Sequence, residues 1–341
     1  MFKKSLLVYC VTAGVLVSTN LWGDSITSKP NSSEKLVGYS DSSYAEGSLT
    51  RSSDSKRVAY VAKKGRKECV VVDGRSKKRY DGAGAIVFSP NSKRIAYVAN
   101  RGNTVFIVID GKEGKGYSGI AGNPVFSPDS KRVAYVAQTG NRWIVIVDGK
   151  EDDFECLATN SPTFSPDSKR VAYVAKTVDR QFAVIDGKEG SPYRGTGTPV
   201  FSPDSSRVAY AANTRSEVLI VLDGEEQKKY DGMAAGTLVF SPDSKRVVFV
   251  IRMDIDRYIV VDGGDEKEHA SMAGRPVFSP DSRHIAYLAK TGGQWSVVID
   301  GRERKPCDGV LENKLVFSPD SKRVTYESKA GVEQIPVVNG E

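Results

Sequence analysis

Two carboxylates recur through this chain at fixed spacing, and evenly placed carboxylates are raw material for acid–base and metal chemistry. One follows proline in the string Ser-Pro-Asp-Ser, as at Asp129, Asp167, Asp204, Asp243, Asp281 and Asp320. The other opens an Asp-Gly pair at Asp73, Asp110, Asp148, Asp186, Asp223, Asp262 and Asp300, with Asn339-Gly340 last. Neither has a second carboxylate at calcium-loop spacing, and a unique site does not need eight copies. Both read as turn formers, because Asp and Ser side chains accept hydrogen bonds from the backbone just ahead of them.

Other catalytic candidates are few. His269 and His284 fall in different parts of different repeats, and no His, Cys and carboxylate set has metal-ligand spacing. Gly116-Tyr-Ser118-Gly119-Ile120 fails the GxSxG pattern at its last position, and Gly114-Lys-Gly116-Tyr-Ser-Gly119 matches GxGxxG without opening a helix. Cys156 and Cys307 stand about half the array apart, beyond the roughly 7 Å Cα limit of a disulfide in a ring. With Cys69 they are expected to be buried as small apolar residues. The chain is therefore expected not to be an enzyme and to need neither cofactor nor metal.

Cations give more to work with. Lys-Arg pairs recur at Lys56-Arg57, Lys93-Arg94, Lys131-Arg132, Lys169-Arg170, Lys245-Arg246 and Lys322-Arg323, and should ring one face. A second basic set lies in segments that differ from copy to copy, at 63–68, 101–104, 138–142, 176–181, 213–217, 251–257, 290–294 and 327–333, with a combined charge of +6. Each holds a cation, and varied loops on a repeated scaffold are where recognition is expected. Arg66, Arg101, Arg142, Arg180, Arg215 and Arg257 are the partner-binding candidates. Trp143 and Trp295 are the only aromatics placed for carbohydrate stacking, and as strand residues they are expected in the core.

What must position these groups is a repeat. The string Phe-Ser-Pro-Asp-Ser-Lys-Arg-Val-Ala-Tyr starts at Phe126, with copies at Phe88, Phe164, Phe201, Phe240, Phe278 and Phe317 and a worn copy at Arg51, where Ser53 replaces proline. In all eight copies the Asp or Asn of the second turn follows 22 residues after the first position. All length variation falls between that turn and the next copy, at 15 to 17 residues. A period near 38 marks a solenoid or propeller whose units bury their faces on neighbours.

Within copy three, Pro124-Val-Phe126 is a first strand, Arg132 to Ala137 a second and Trp143 to Val147 a third; the last two are apolar on both faces, as strands between stacked sheets must be. A fourth, more polar strand follows Asp-Gly and carries Tyr80, Tyr117, Tyr193 or Tyr230, with His269 and Cys307 at the same place. Four antiparallel strands per copy predict an all-β, eight-bladed β-propeller. Tyr44 to Gly47 precedes the first copy at fourth-strand spacing and is expected to complete the last blade, closing the ring. Seven blades with the worn copy outside is the competing reading, opposed by the preserved interval of 22 to Asp73.

FSPDSKRVAYVA followed by an apolar strand ending in DG resembles the WD-repeat-like β-propeller repeat, as in the propeller of the Tol-Pal translocation protein TolB. It is similar too to the propellers that precede the catalytic domain of prolyl-oligopeptidase-type peptidases. The resemblance spans about 295 of 341 residues and implies a scaffold used for many purposes. Ser130, Ser168 and Ser205 stand where that repeat often carries Gly, and a short Ser-rich spacer stands ahead of the array where TolB-like proteins have an α/β domain.

Residues 1–23 read as a secretory signal: Lys3 and Lys4, then an apolar run from Leu6 to Val17 too short to span a bilayer. Residues 24–43 hold seven serines and read as a flexible spacer, leaving 44–341 as the propeller. A net charge of +7, from 49 Lys and Arg against 42 Asp and Glu, is mild and disfavours a nucleic-acid partner. The expectation is a periplasmic or secreted monomer, non-catalytic and with no transmembrane span. It would bind an unidentified protein or anionic envelope component through its variable loop face. A channel-centred enzyme and a carbohydrate or anionic-polymer binder are the alternatives.

Overall fold

The computed structural model describes residues 7–12, 15–20, 45–155, 162–253, 256–261, 264–269, 271–304, 306, 315–328 and 331–336. Tyr44, Cys156, Asp262, Cys307, Asn339 and the whole of the spacer lie outside them. Leu7–Thr12 and Val15–Asn20 pair antiparallel as a two-stranded sheet of their own, within the expected leader.

The described residues are all strand and turn, with no helix, and each copy makes one antiparallel sheet in which chain order is strand order. The third sheet is representative: Gly119–Phe126, Val133–Thr139, Arg142–Val147 and Lys150–Glu155. Its first strand runs longer than Pro124 to Phe126 because it continues past a register shift between Ala121 and Val125. In the fifth and sixth sheets the first strand is broken there into two short pieces, and the last sheet has three strands among the described residues.

All but one of the hydrophobic clusters straddle two consecutive sheets. Val70, Val72 and Tyr80 of the first sheet pack with Tyr97, Phe106 and Val108 of the second. Val136 and Val145 of the third pack with Tyr173, Phe182 and Val184 of the fourth. The sheets therefore stack face to face in chain order, as propeller blades do. The doubly apolar second and third strands follow, since both their faces meet a neighbour.

The N-terminal stretch departs from expectation. The Ala45 N–H donates to the Val61 carbonyl at 2.9 Å, and the Ser48 hydroxyl donates back to the Ala45 carbonyl at 2.6 Å. Ala234 and Thr237 make the same contacts ahead of Phe240. Ala45 to Gly47 thus lies against the first sheet, in the turn ahead of its strand Thr50–Arg51, and no N-terminal strand joins the last sheet among the described residues. Fourth-strand spacing misled because the bulged first strand extends further back than the Phe-Ser-Pro string shows.

The serine ending each Ser-Pro-Asp-Ser turn has φ between 56° and 67°, a left-handed conformation costing a non-glycine residue about 1–2 kcal/mol. Its hydroxyl explains why it is not glycine. The Asn91 N–H donates to Ser130 Oγ at 3.0 Å and the Asp129 N–H to Ser168 Oγ at 2.9 Å, each across a sheet boundary. Ser130→Ala keeps the strain and orphans the Asn91 amide, so it should cost about 1–3 kcal/mol. Ser130→Gly loses the same bond and relieves the strain, so it should cost less. Denaturant midpoints for the two variants check that order.

Candidate recognition surface

The repeated charges are spent on joints between sheets. Arg132 Nε donates to Asp148 Oδ2 at 2.8 Å within the third sheet, and Nη1 donates to the carbonyls of Ser168 and Lys169 at 3.1 and 2.8 Å in the fourth. Its guanidinium lies 5.1 Å from the Phe164 ring centroid. Arg57, Arg94 and Arg170 repeat both the carboxylate and the carbonyl contacts. The Asp-Gly aspartate, with φ near 50° and followed by a positive-φ glycine, makes the tight turn. Its second oxygen accepts the backbone N–H next to the arginine, as from Val133 to Asp148 Oδ1 at 3.0 Å. That double use explains the invariant interval of 22. In the seventh sheet His284 replaces the arginine, its Nδ1 lying 2.6 Å from Asp300 Oδ2.

The Ser-Pro-Asp-Ser carboxylates are likewise occupied. Asp129 accepts the Ser127 hydroxyl at 2.6 Å and the Lys131 N–H at 3.0 Å. These bonds, the serine first, hold its carboxyl below the usual range. Asp54, Asp167 and Asp243 are lowered for the same reason. In the pairs ending at Arg57, Arg94, Arg132 and Arg170, then, the arginine is structural and the lysine remains exposed, the Lys131 side chain being 82% accessible, while Arg323 of the last pair is itself exposed.

The opposite end of the sheets carries the hairpins between second and third strands, and all six candidate arginines fall there. Arg66 and Arg215 are exposed in turns, and Arg180 is exposed 3.9 Å from Asp179. Arg142 is exposed opposite Thr139. Arg257 pairs through its backbone with Arg252, and its side chain lies outside the described set. Arg101 has structural commitments: it bonds Glu113 at 3.1 Å and stacks 5.5 Å from Phe106 and 5.9 Å from Tyr80. Trp143 and Trp295 are half-buried against core clusters, as their strand positions predict.

Contacts between sheets at this end were not legible from the motifs. Lys67 pairs with Asp81, whose other oxygen accepts the Gly102 N–H at 2.7 Å. Glu68 accepts from the Ala83 N–H at 2.9 Å, and Gln181 from Thr196 at 3.0 Å. These groups sit where the copies differ, so no repeat signal marks them.

A cavity of about 290 Å³ opens between the second and third sheets, lined by Arg94, Lys115, Lys131, Tyr135 and Asp148 among others. Arg94 and Asp148 are already committed to joints. Gly116 beside it is fixed by packing, since a Cβ there would sit 2.3 Å from Thr104 Cγ2; it lies on a fourth strand, so the GxGxxG match is a packing feature. Among the described residues no three His, Cys, Asp or Glu side chains converge, and Cys69 is a buried free thiol. No helix among them is long and apolar enough to cross a membrane.

No protein-family model matches the sequence, and no curated protein matches it. Solved structures are similar at low identity. The eukaryotic initiation factor is 12% identical with a TM-score of 0.49, covering 98% of this chain and 97% of that one. The β-propeller domain of the Trilobed protease from Pyrococcus furiosus is 16% identical with a TM-score of 0.35, covering 75% and 92%. TolB from Acinetobacter baumannii is 18% identical with a TM-score of 0.33, covering 76% and 78%.

Proposed function

We propose that the chain is an exported, non-catalytic scaffold: an eight-bladed propeller that binds a protein or envelope component through its hairpin face. One observation carries the functional part. The repeated arginines Arg57, Arg94, Arg132, Arg170 and Arg207 are consumed by the joints and the repeated lysines stand at the other end of the sheets, whereas Arg66, Arg180 and Arg215 stand exposed on hairpins that differ in every copy. A rigid scaffold with varied loops at one end is the usual layout of a recognition surface.

The closed ring is supported by the first sheet. Its face turned away from the second sheet, built by Tyr60, Ala62, Cys69 and Val71, is at most 9% exposed. A buried apolar face needs a cover, and the last sheet is the partner that closure supplies. Among the described residues, closure would then rest on packing of the last sheet against the first. Export rests on the layout of residues 1–23.

The test is recovery of partners with the full chain and with a variant carrying Arg66→Glu, Arg142→Glu and Arg180→Glu. Loss of the recovered partner supports the hairpin face. Recovery of the same partner by both proteins sinks it.

A further inference from the structure

The mild net charge of the chain hides a concentrated one. Between Arg51 and Tyr80 there are eleven Lys and Arg against three Asp and Glu, a net of +8 in a chain whose total is +7. The first sheet therefore carries the whole excess, and the rest of the protein is close to neutral.

Its outer strand, Arg75–Tyr80, reads Arg-Ser-Lys-Lys-Arg-Tyr and is exposed from Arg75 to Arg79. No other outer strand is like it. Lys150–Glu155 holds one lysine among four carboxylates, Gly264–His269 one lysine among three, and those of the fourth and seventh sheets are two residues long. Lysine on an open sheet edge guards against edge-to-edge pairing. The acidic and short edges carry a single cation each, so edge protection does not account for four cations here.

Part of the charge is neutralised: Lys78 bonds Glu113 at 2.7 Å, Lys67 pairs with Asp81, and Arg57 bonds Asp73 at 2.9 Å. Lys63, Arg66, Arg75, Lys77 and Arg79 are exposed and have no carboxylate partner among the described residues. Arg75 to Arg79 lie on one strand, which bulges between Ser76 and Arg79, so their charges form a short row without a regular repeat. The second–third hairpin with Lys63 and Arg66 continues the line at the end where Arg79 pairs with Cys69.

We propose that this strip binds a linear phosphate polymer, laid along the outer strand of the first sheet and held by charge. The proposal does not depend on the hairpin-face reading, since three of its five residues lie off that face. The unbroken row of cations suits a flexible chain dense in anions, and guanidinium forks match phosphate oxygens. Large exposed apolar side chains among the described residues are limited to Val178 and Val316. The strip therefore lacks the apolar anchor that accompanies charge in interfacial membrane binding.

The test uses long-chain inorganic polyphosphate and the full chain, with affinity measured across a salt series. Binding should weaken with salt at a log–log slope of about −3 to −4, as expected when about five cations release counterions from a flexible polyanion. Arg75→Gln with Lys77→Gln and Arg79→Gln should lose at least about tenfold in affinity and about 2 units of that slope. A control with Lys112→Gln, Lys188→Gln and Lys229→Gln removes the same charge from exposed outer-strand positions elsewhere and should stay within about twofold. Equal loss in both variants would reduce the effect to net charge and overturn the proposal. So would absence of polymer binding, or preferential retention on vesicles containing phosphatidylglycerol.

Discussion

Arg132→Ala is expected to destabilise the protein by about 2–4 kcal/mol, more than any other single surface substitution considered. The side chain makes one charge-assisted bond to Asp148 and two to carbonyls of the next sheet, and it covers Phe164. Charged hydrogen bonds contribute about 1.5–3 kcal/mol and a partly desolvated cation–π contact about 1 kcal/mol, but these contributions overlap. With its side chain only 29% accessible, solvent screening is partial. Arg132→Lys should recover little, because an ammonium cannot reach a carboxylate and two carbonyls with one planar fork. Denaturant unfolding followed by circular dichroism measures the cost. Amide exchange should show faster opening in the third and fourth sheets than elsewhere, since stacked repeats are coupled mainly to their neighbours. Full recovery of stability by Arg132→Lys would show that charge alone carries the joint.

A second large loss is expected at Tyr97. This residue is 1% exposed, packs with Val70, Val72 and Phe106, and meets Tyr80 edge-on at 6.3 Å. Tyr97→Ala removes a ring from between two sheets and should cost about 3–5 kcal/mol through lost burial and the cavity left behind. Tyr97→Phe keeps the ring and loses only the hydroxyl that interacts with Tyr80, so about 1 kcal/mol is expected. A thermal midpoint lowered as far by Phe as by Ala would mean the hydroxyl, and not the packing, holds the two sheets. Burial already pushes the Tyr80 and Tyr97 hydroxyls above the ordinary phenol range, which keeps both neutral at physiological pH.

Sheet composition was legible in the sequence because it depends on local rules. Apolar alternation, the Ser-Pro-Asp-Ser turn and the Asp-Gly turn each act within a few residues, and eight copies repeat the same statement. The partners of the repeated arginine were not legible. Arg132 reaches Ser168 and Lys169 some 36 residues away, and no local pattern distinguishes such a clamp from a solvated cation. The role of the turn serine was missed for the same reason: its acceptor duty faces the preceding copy. The misplacement of Ala45 to Gly47 came from reading a strand boundary at a motif boundary, which the bulge between Ala121 and Val125 shows to be different things. Of the six hairpin arginines, all share one end of the sheets, yet Arg101 is tied to Glu113 and two rings. Spacing reports where a residue sits along a strand and says nothing of what its tip can reach.

The serine and arginine links run in one direction. Copies two to five each offer the carbonyls and hydroxyl that the predecessor grips, and grip those of the successor, as Asp129 and Arg132 do with Ser168 and Lys169. A single copy thus contains both halves of the fastening. Duplicating one such unit in the gene, or excising one, leaves every new junction already matched. An array fastened in this way can change its number of members without inventing a new contact, and each new member arrives with an unassigned hairpin for selection to shape.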